Sequence, residues 1–198
     1  MLLHWETLKA QVAACQGCAL SDTRTHTAFG EGNVHAQILF VGEGPGREED
    51  LQGRPFVGPA GQLLDKMLAA IELDRTKVYI ANIVKCRPPQ NRVPLEEEAL
   101  ACLPYLRAQT GLIKPKIIVC LGATAAKYVY DREVRITRER GVWKEKKGVW
   151  IIPTYHPAAL LRDPEKKKEA WEDFKSIRVR YIALSEAGQA VQAPEQMV

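Results

Sequence analysis

Ala36-Gln-Ile-Leu-Phe-Val-Gly-Glu-Gly-Pro-Gly46 carries a short apolar run straight into a turn of glycine and proline. A run of this length, cut off by residues that break regular structure, has the pattern of a strand buried on both faces. Three further segments read the same way: Val78-Tyr-Ile-Ala-Asn82, Ile117–Leu121 and Val149–Pro153. Helical patterns lie between them. Pro59 opens one in which Leu63, Leu64, Met67, Leu68 and Ile71 share a face. Pro94 starts another, with Glu96–Glu98 complementing the helix dipole in its first turn. Ala123–Tyr130 follows Gly122, and a charged amphipathic helix spans about 164–183. An amphipathic helix over 3–14 precedes the first strand. Strands alternating with helices require right-handed crossovers, hence an α/β fold with a mainly parallel four-stranded sheet covered on both faces. The stretch 132–148 is expected to form an irregular basic excursion or hairpin before the last strand.

A chain of 198 residues suits a single domain. That domain is placed at 1–183, with 184–198 expected to be a disordered tail because it is small and polar. No apolar run is long enough to span a bilayer and there is no signal-peptide pattern, so a soluble intracellular (cytoplasmic) protein with no membrane partner is expected. Net charge is +4, from 28 basic and 24 acidic residues. Arg132, Arg135, Arg138, Arg140, Lys144, Lys146 and Lys147 crowd one stretch and Lys166–Lys168 another. Such runs are usually a solvated face, and alone they do not establish a nucleic-acid partner.

Cys15, Cys18, Cys86 and Cys102 are a second signal. The first two form Cys-Gln-Gly-Cys, and four thiolates on short local structure are what a tetrahedral metal or an iron–sulfur cluster needs. A reducing compartment argues against disulfides. If all four are ligands, the group ties the amino-terminal segment to the middle of the domain; otherwise the pair is fortuitous and the other two are buried apolar residues. Cys120, inside an apolar run, reads as a core residue.

In a parallel sheet, ligands bind at the carboxyl ends of the strands. Gly42-Glu-Gly-Pro-Gly46 follows the first strand, Asn82 and Lys85-Cys-Arg-Pro88 the second, and His156-Pro-Ala-Ala-Leu-Leu-Arg162 the fourth. Each has an ordinary explanation in turn chemistry. Together they bring backbone donors, a carboxamide and an imidazole to one crevice, a set suited to a planar polar ligand such as a nucleobase. The lysine–serine ending of a P-loop is absent. Phe56, on the turn Gly53–Gly61, packs in the core or offers a stacking face for a base.

These motifs, with the Gly53–Asp65 block and the four cysteines, resemble the family 4 uracil-DNA glycosylases of bacteria and archaea over about residues 10–180. The resemblance implies a three-layer α/β/α sandwich that flips uracil out of DNA and hydrolyses its N-glycosidic bond in base excision repair, leaving an abasic site. It implies a 4Fe–4S cluster on Cys15, Cys18, Cys86 and Cys102. Gly42, Glu43 and Gly44 would line the uracil pocket, Phe56 would stack on the base, and Asn82 would read its edge. His156 would stabilise charge developing on uracil O2, and Leu160, Leu161 and Arg162 would press on the duplex. The partner implied is uracil-containing DNA, single- or double-stranded, met by a monomer. Other branches carry a water-orienting aspartate where Gly44 stands here, which leaves Glu43, Glu48 and Glu49 as candidates for a general base. Glu49 is also a candidate for excluding the thymine methyl. No basic loop ending in histidine follows Asn82, so turnover is expected rather than covalent capture. Two other readings remain: a non-catalytic iron–sulfur nucleic-acid-binding module, and a zinc-stabilised nucleoside hydrolase.

Overall fold

The computed structural model describes residues 4–192. Its elements in chain order are α1 (Trp5–Ala13), β1 (Glu31–Gly32), β2 (Ile38–Gly42), α2 (Arg47–Gln52), α3 (Pro59–Ala70), β3 (Tyr79–Asn82), α4 (Glu96–Ile113), β4 (Ile117–Leu121), α5 (Ala123–Val129), α6 (Ile136–Glu139), β5 (Lys144–Lys146), β6 (Val149–Thr154), α7 (Pro157–Arg162) and α8 (Lys167–Gln192). No described helix is long and apolar enough to cross a membrane.

The strands form one sheet in the order β1-β3-β2-β4-β6-β5. The inner four are parallel and are the four expected from the apolar runs. The expected strand count is corrected to six, because β1 and β5 add antiparallel edges. Each edge strand is only two or three residues long and polar, so no apolar run announces it. The basic stretch before β6 does contain a hairpin. Lys147 and Gly148 both take positive φ (53° and 78°) at its turn, the backbone that a two-residue hairpin needs.

Side chains on the inner strands alternate between two cores, which is what makes the fold three-layered. Leu39, Val41, Tyr79, Ala81, Ile118 and Cys120 face one layer, where Leu103 and Leu106 of α4 and Ala125 and Ala126 of α5 meet them. Ile38, Phe40, Ile80, Ile117, Val119 and Ile152 face the other, against Leu64 and Leu68 of α3 and Phe174 and Ile177 of α8. The alternation follows from the period of two along a strand. It also explains why these strands read as continuous apolar runs: both faces are covered. α1 buries Leu8 and Val12 against Phe29, with Tyr105, Ala108 and Leu112 of α4 packed on the same cluster.

The helix starts are set by local chemistry. α3 has Pro59 in its first turn. Glu98 in the first turn of α4 accepts from the Leu95 amide at 2.8 Å and takes a bidentate pair from Arg92, which fixes the loop leading into the helix. The tail expected from residue 184 is corrected in part. α8 continues through Gln192, and 193–198 lie outside the described residues.

Candidate functional site

Register places the site. Gly42 at the end of β2 pairs with Asn82 at the end of β3, and Leu121 at the end of β4 pairs with Thr154 at the end of β6. His156 follows two residues later and caps α7. The sequence-predicted residues Gly42, Asn82 and His156 therefore share the carboxyl edge of neighbouring strands.

Asn82 is 1 % exposed, and its Oδ1 has no hydrogen-bond partner among the described residues. An unpartnered buried acceptor costs about 1–3 kcal/mol, so its persistence points to a ligand that donates to it. Phe56 sits at φ 54° with its ring packed on the imidazole of His156, centroids 5.5 Å apart and planes 29° apart. Gly42 lies between Asn82 and the Phe56 ring. A β-carbon there would stand 2.5 Å from Phe56 Cζ and would strike Asn82 Oδ1. The three side chains expected to handle a base are thus gathered within one crevice.

His156 is held in one tautomer. Its Nδ1 accepts from the Ala158 amide at 3.1 Å, so in the neutral ring the proton is on Nε2. Burial, reinforced by the positive charge of Arg162 and opposed by Glu49, pulls its pKa down to about 4. At neutral pH the site holds an uncharged imidazole with one N–H donor free of the cap.

The three glutamates differ. The Glu49 carboxylate accepts from the amides of Gly46 (3.1 Å), Val57 (2.9 Å) and Gly58 (2.8 Å), which ties the start of α2 to the Phe56 turn. Glu48 is exposed on α2. Glu43 is half-buried, and its carboxylate accepts from the hydroxyl of Thr124 on α5. Gly44 packs so closely on Val84 that a β-carbon would lie 2.6 Å from its Cγ2. On α7, Leu160 is 1 % exposed and packs with Tyr155 and Ala170, while Leu161 is 45 % exposed. Of the three residues expected against DNA, Leu161 and Arg162 face solvent, whereas Leu160 is buried among Tyr155 and Ala170. Several residues of the two basic clusters are engaged in ion pairs: Arg132 with Glu96, Arg140 with Asp173, Lys144 with Asp131, and Lys166 with Asp163.

Cys15, Cys18, Cys86 and Cys102 line one recess, together with Arg24 and Tyr105. Three N–H donors point at the sulfurs: Gly17 N to Cys15 (3.4 Å), Lys85 N to Cys102 (3.3 Å) and Arg24 Nη1 to Cys86 (3.3 Å). Burial raises the thiol pKa of Cys86 and pushes that of Cys102 up to about 11, so thiolates here call for a cationic centre. Among the described residues, no three His, Cys, Asp or Glu side chains converge closely enough to share a single metal ion. Four thiols around one recess, with N–H donors behind them, are a donor set of the kind that a metal ion or an iron–sulfur cluster uses. Cys120 is fully buried in β4, as expected of a core residue.

Several contributors carry roles that the sequence did not assign them. Lys85 is 1 % exposed; its Nζ donates to the Asn82 carbonyl (3.0 Å) and to Gln109 Oε1 (2.6 Å), and Gln109 in turn donates to the Phe29 carbonyl (2.9 Å). Burial lowers its pKa to about 8. Thr124, Arg24 and Arg75 also hold site groups. The only sequence clue to Lys85 is its place between Asn82 and Cys86.

The family model for the uracil DNA glycosylase superfamily matches residues 29–175. The chain is 50 % identical over 182 residues to a type-4 uracil-DNA glycosylase of Sulfurisphaera tokodaii, covering 87 % of this chain and 83 % of that one. It is 47 % identical over 175 residues to one from Archaeoglobus fulgidus (84 % and 88 %). It is 49 % identical over 179 residues to one from Thermotoga maritima (87 % and 92 %).

Proposed function

This chain belongs to the uracil-DNA glycosylase superfamily, in its type-4 branch, and excises uracil from DNA; on that premise we propose that Asn82, Phe56 and His156 bind and release the base. The observation that carries the assignment is the buried Asn82 carboxamide, whose Oδ1 lacks a partner among the described residues, at the same sheet edge as a neutral, Nε2-protonated imidazole. Uracil offers an N–H to the carboxamide oxygen and carbonyls to its amide and to the imidazole; cytosine presents the opposite order at the same edge.

Cleavage of the N-glycosidic bond builds positive charge on the sugar and negative charge on the departing base. A donor aimed at that negative charge, already in place, is the expected main contribution to the rate, worth about 10²–10³-fold. His156 Nε2–H fills that role without carrying a charge of its own. Phe56 takes the flipped base, which offsets part of the unstacking cost of a few kcal/mol. Glu43, held by Thr124, orients the attacking water at the sugar. Gly42 and Gly44 shape the pocket floor, and Glu49 builds it by fixing the Phe56 turn. Leu161 and Arg162 meet the DNA next to the extruded nucleotide. The enzyme acts as an intracellular monomer on uracil in single- or double-stranded DNA.

Cys15, Cys18, Cys86 and Cys102 hold a 4Fe–4S cluster. When bound it supplies a covalent cross-link between the amino-terminal segment and the loop after β3, which braces the Asn82 side of the pocket. The decisive experiment incubates the protein with an oligonucleotide containing one uracil, followed by alkali. Wild-type protein gives strand scission at the uracil. Asn82→Ala and His156→Ala, folded by melting analysis, lose about 10²-fold or more. Retention of full activity by both variants would remove these residues from the mechanism.

A further inference from the structure

Arg75 lies on the loop between α3 and β3, away from the bond that breaks, yet its fork converges on the turn that carries Phe56. Nη1 donates to the Pro55 carbonyl at 3.0 Å, Nη2 donates to the Phe56 carbonyl, and Nε donates to Asp65 Oδ1 of α3 at 2.8 Å. Glu31 of β1 approaches the same guanidinium at 3.6 Å, and the arginine side chain is only 18 % exposed. Phe56 needs holding. Its φ of 54° is a conformation that a bulky side chain adopts only when its surroundings impose it. Its backbone is also pressed against Gly61, where a β-carbon would collide with the Phe56 carbonyl. The Phe56 ring then lies against His156 and Gly42.

We propose that Arg75 is a positioning residue for the uracil pocket, acting through the Phe56 backbone to fix the ring that receives the base. The inference rests on the assignment of Phe56 as the stacking face. Arginine suits the task because a planar fork of five donors can hold two carbonyls and a carboxylate at once. Asp65 and Glu31 anchor the fork from two other elements, so the turn is tied to α3 and to the sheet edge together. An ordinary surface ion pair would contribute to stability alone; a positioning residue also sets how well the pocket holds uracil.

The test is a double-mutant cycle on Arg75→Met and Phe56→Ala, read by inhibition with free uracil and by kcat/KM on a single-stranded uracil oligonucleotide. Free uracil probes the base pocket without the DNA backbone. Arg75→Met is expected to raise the uracil inhibition constant and lower kcat/KM by about tenfold, less than the roughly 10²-fold cost of a full 1 Å misplacement because Gly61 and His156 still confine the ring. On the Phe56→Ala background the same substitution is expected to add no more than about twofold, the signature of a shared path. Arg75→Lys and Asp65→Asn carry the same cycle should Arg75→Met fail to fold. Equal cost on both backgrounds, or an unchanged inhibition constant, would overturn the inference. A silent Phe56→Ala would overturn the stacking assignment itself, and the role of Arg75 with it.

Discussion

A single methyl group placed at Gly42 should separate activity from stability. Gly42 is buried at the end of β2, and an added β-carbon would stand 2.5 Å from Phe56 Cζ and 2.7 Å from Cε2, besides meeting Asn82 Oδ1. Ordinary carbon contacts are about 3.5–4.0 Å, so the Phe56 ring must retreat by about 1 Å. It has little freedom to do so, because its backbone is held by Arg75 and Gly61 and its face by His156. Overpacking of this kind costs about 1–3 kcal/mol. For a chain of this length each kcal/mol lowers Tm by about 2–4 °C, giving a fall of about 2–12 °C. Activity should suffer more, since a shift of about 1 Å in a positioned group costs about 10²-fold. Gly111→Ala is the control: an added β-carbon there has no neighbour within 4 Å, and alanine within a helix should gain about 0.5–1 kcal/mol. The assay combines initial rates of uracil release from an oligonucleotide with melting curves on the same samples. Turnover by Gly42→Ala within a few-fold of wild type, with Gly111→Ala behaving as stated, would refute the placement of the base between Asn82 and Phe56.

With a folded pKa of about 4 against an ordinary 6.5, His156 stays neutral through mild acid, so kcat/KM should have no acid limb near 6.5 and turn down only below about pH 5. The same shift acts on stability: between pH 6.5 and 4 the unfolded chain binds the extra proton, so its contribution weakens as pH falls through that window. A limb at 6.5 in the pH–rate profile would contradict the neutral-imidazole assignment. Leu160→Ala and Leu161→Ala should part company. The buried leucine loses about 2–5 kcal/mol in denaturant titrations with kinetics changed through stability alone, whereas the exposed one melts like wild type and weakens duplex binding; the reverse pattern would exchange their roles. Cys86→Ala should bleach the visible absorption of purified protein and lower its melting temperature, since metal-binding energy is also folding energy. A brown, fully stable variant would strike Cys86 from the ligand set.

The inner strands were legible because burial on both faces makes them unbroken apolar runs, and the helices α3 and α4 because proline and acidic first turns mark their starts. β1 and β5 were not, being short and polar, and neither was α2, whose Arg47-Glu-Glu-Asp50 shows no apolar stripe. Asn82 and His156 stood out because each follows a strand, where a parallel sheet exposes its ligand edge. Leu160 and Leu161 were indistinguishable for a different reason. They are adjacent in one apolar pair, and only the phase of α7 against Ala170 of α8 decides which is buried. Arg75 went unnoticed and Lys85, though it stands at a strand end, had no role assigned because their partners are distant in sequence: Pro55 lies 20 residues from Arg75, and Gln109 lies 24 from Lys85. A charged residue reads as solvated until such partners are known.

The glycines at the strand ends take on a different meaning once their neighbours are known. Read alone, Gly42-Glu-Gly-Pro-Gly46 suggests room for a ligand to approach the backbone. In the folded chain the room beside Gly42 is filled by Phe56 and Asn82, that beside Gly44 by Val84, and that beside Gly122, at the end of β4, by the β-carbon of His156 at 2.9 Å. At Gly42 and Gly122 the missing side chains are therefore an imprint of the groups proposed to handle uracil. Their absence lets a carboxamide, an aromatic ring and an imidazole converge with almost no freedom to move. That arrangement suits a reaction whose barrier falls by fixed donors aimed at a departing base more than by a strong general base. It follows that substitutions at Gly42 and Gly122 should damage kcat more than those at Glu43, the proposed water-orienting group, and kinetics that placed Glu43 first would assign the larger share of the barrier to water activation.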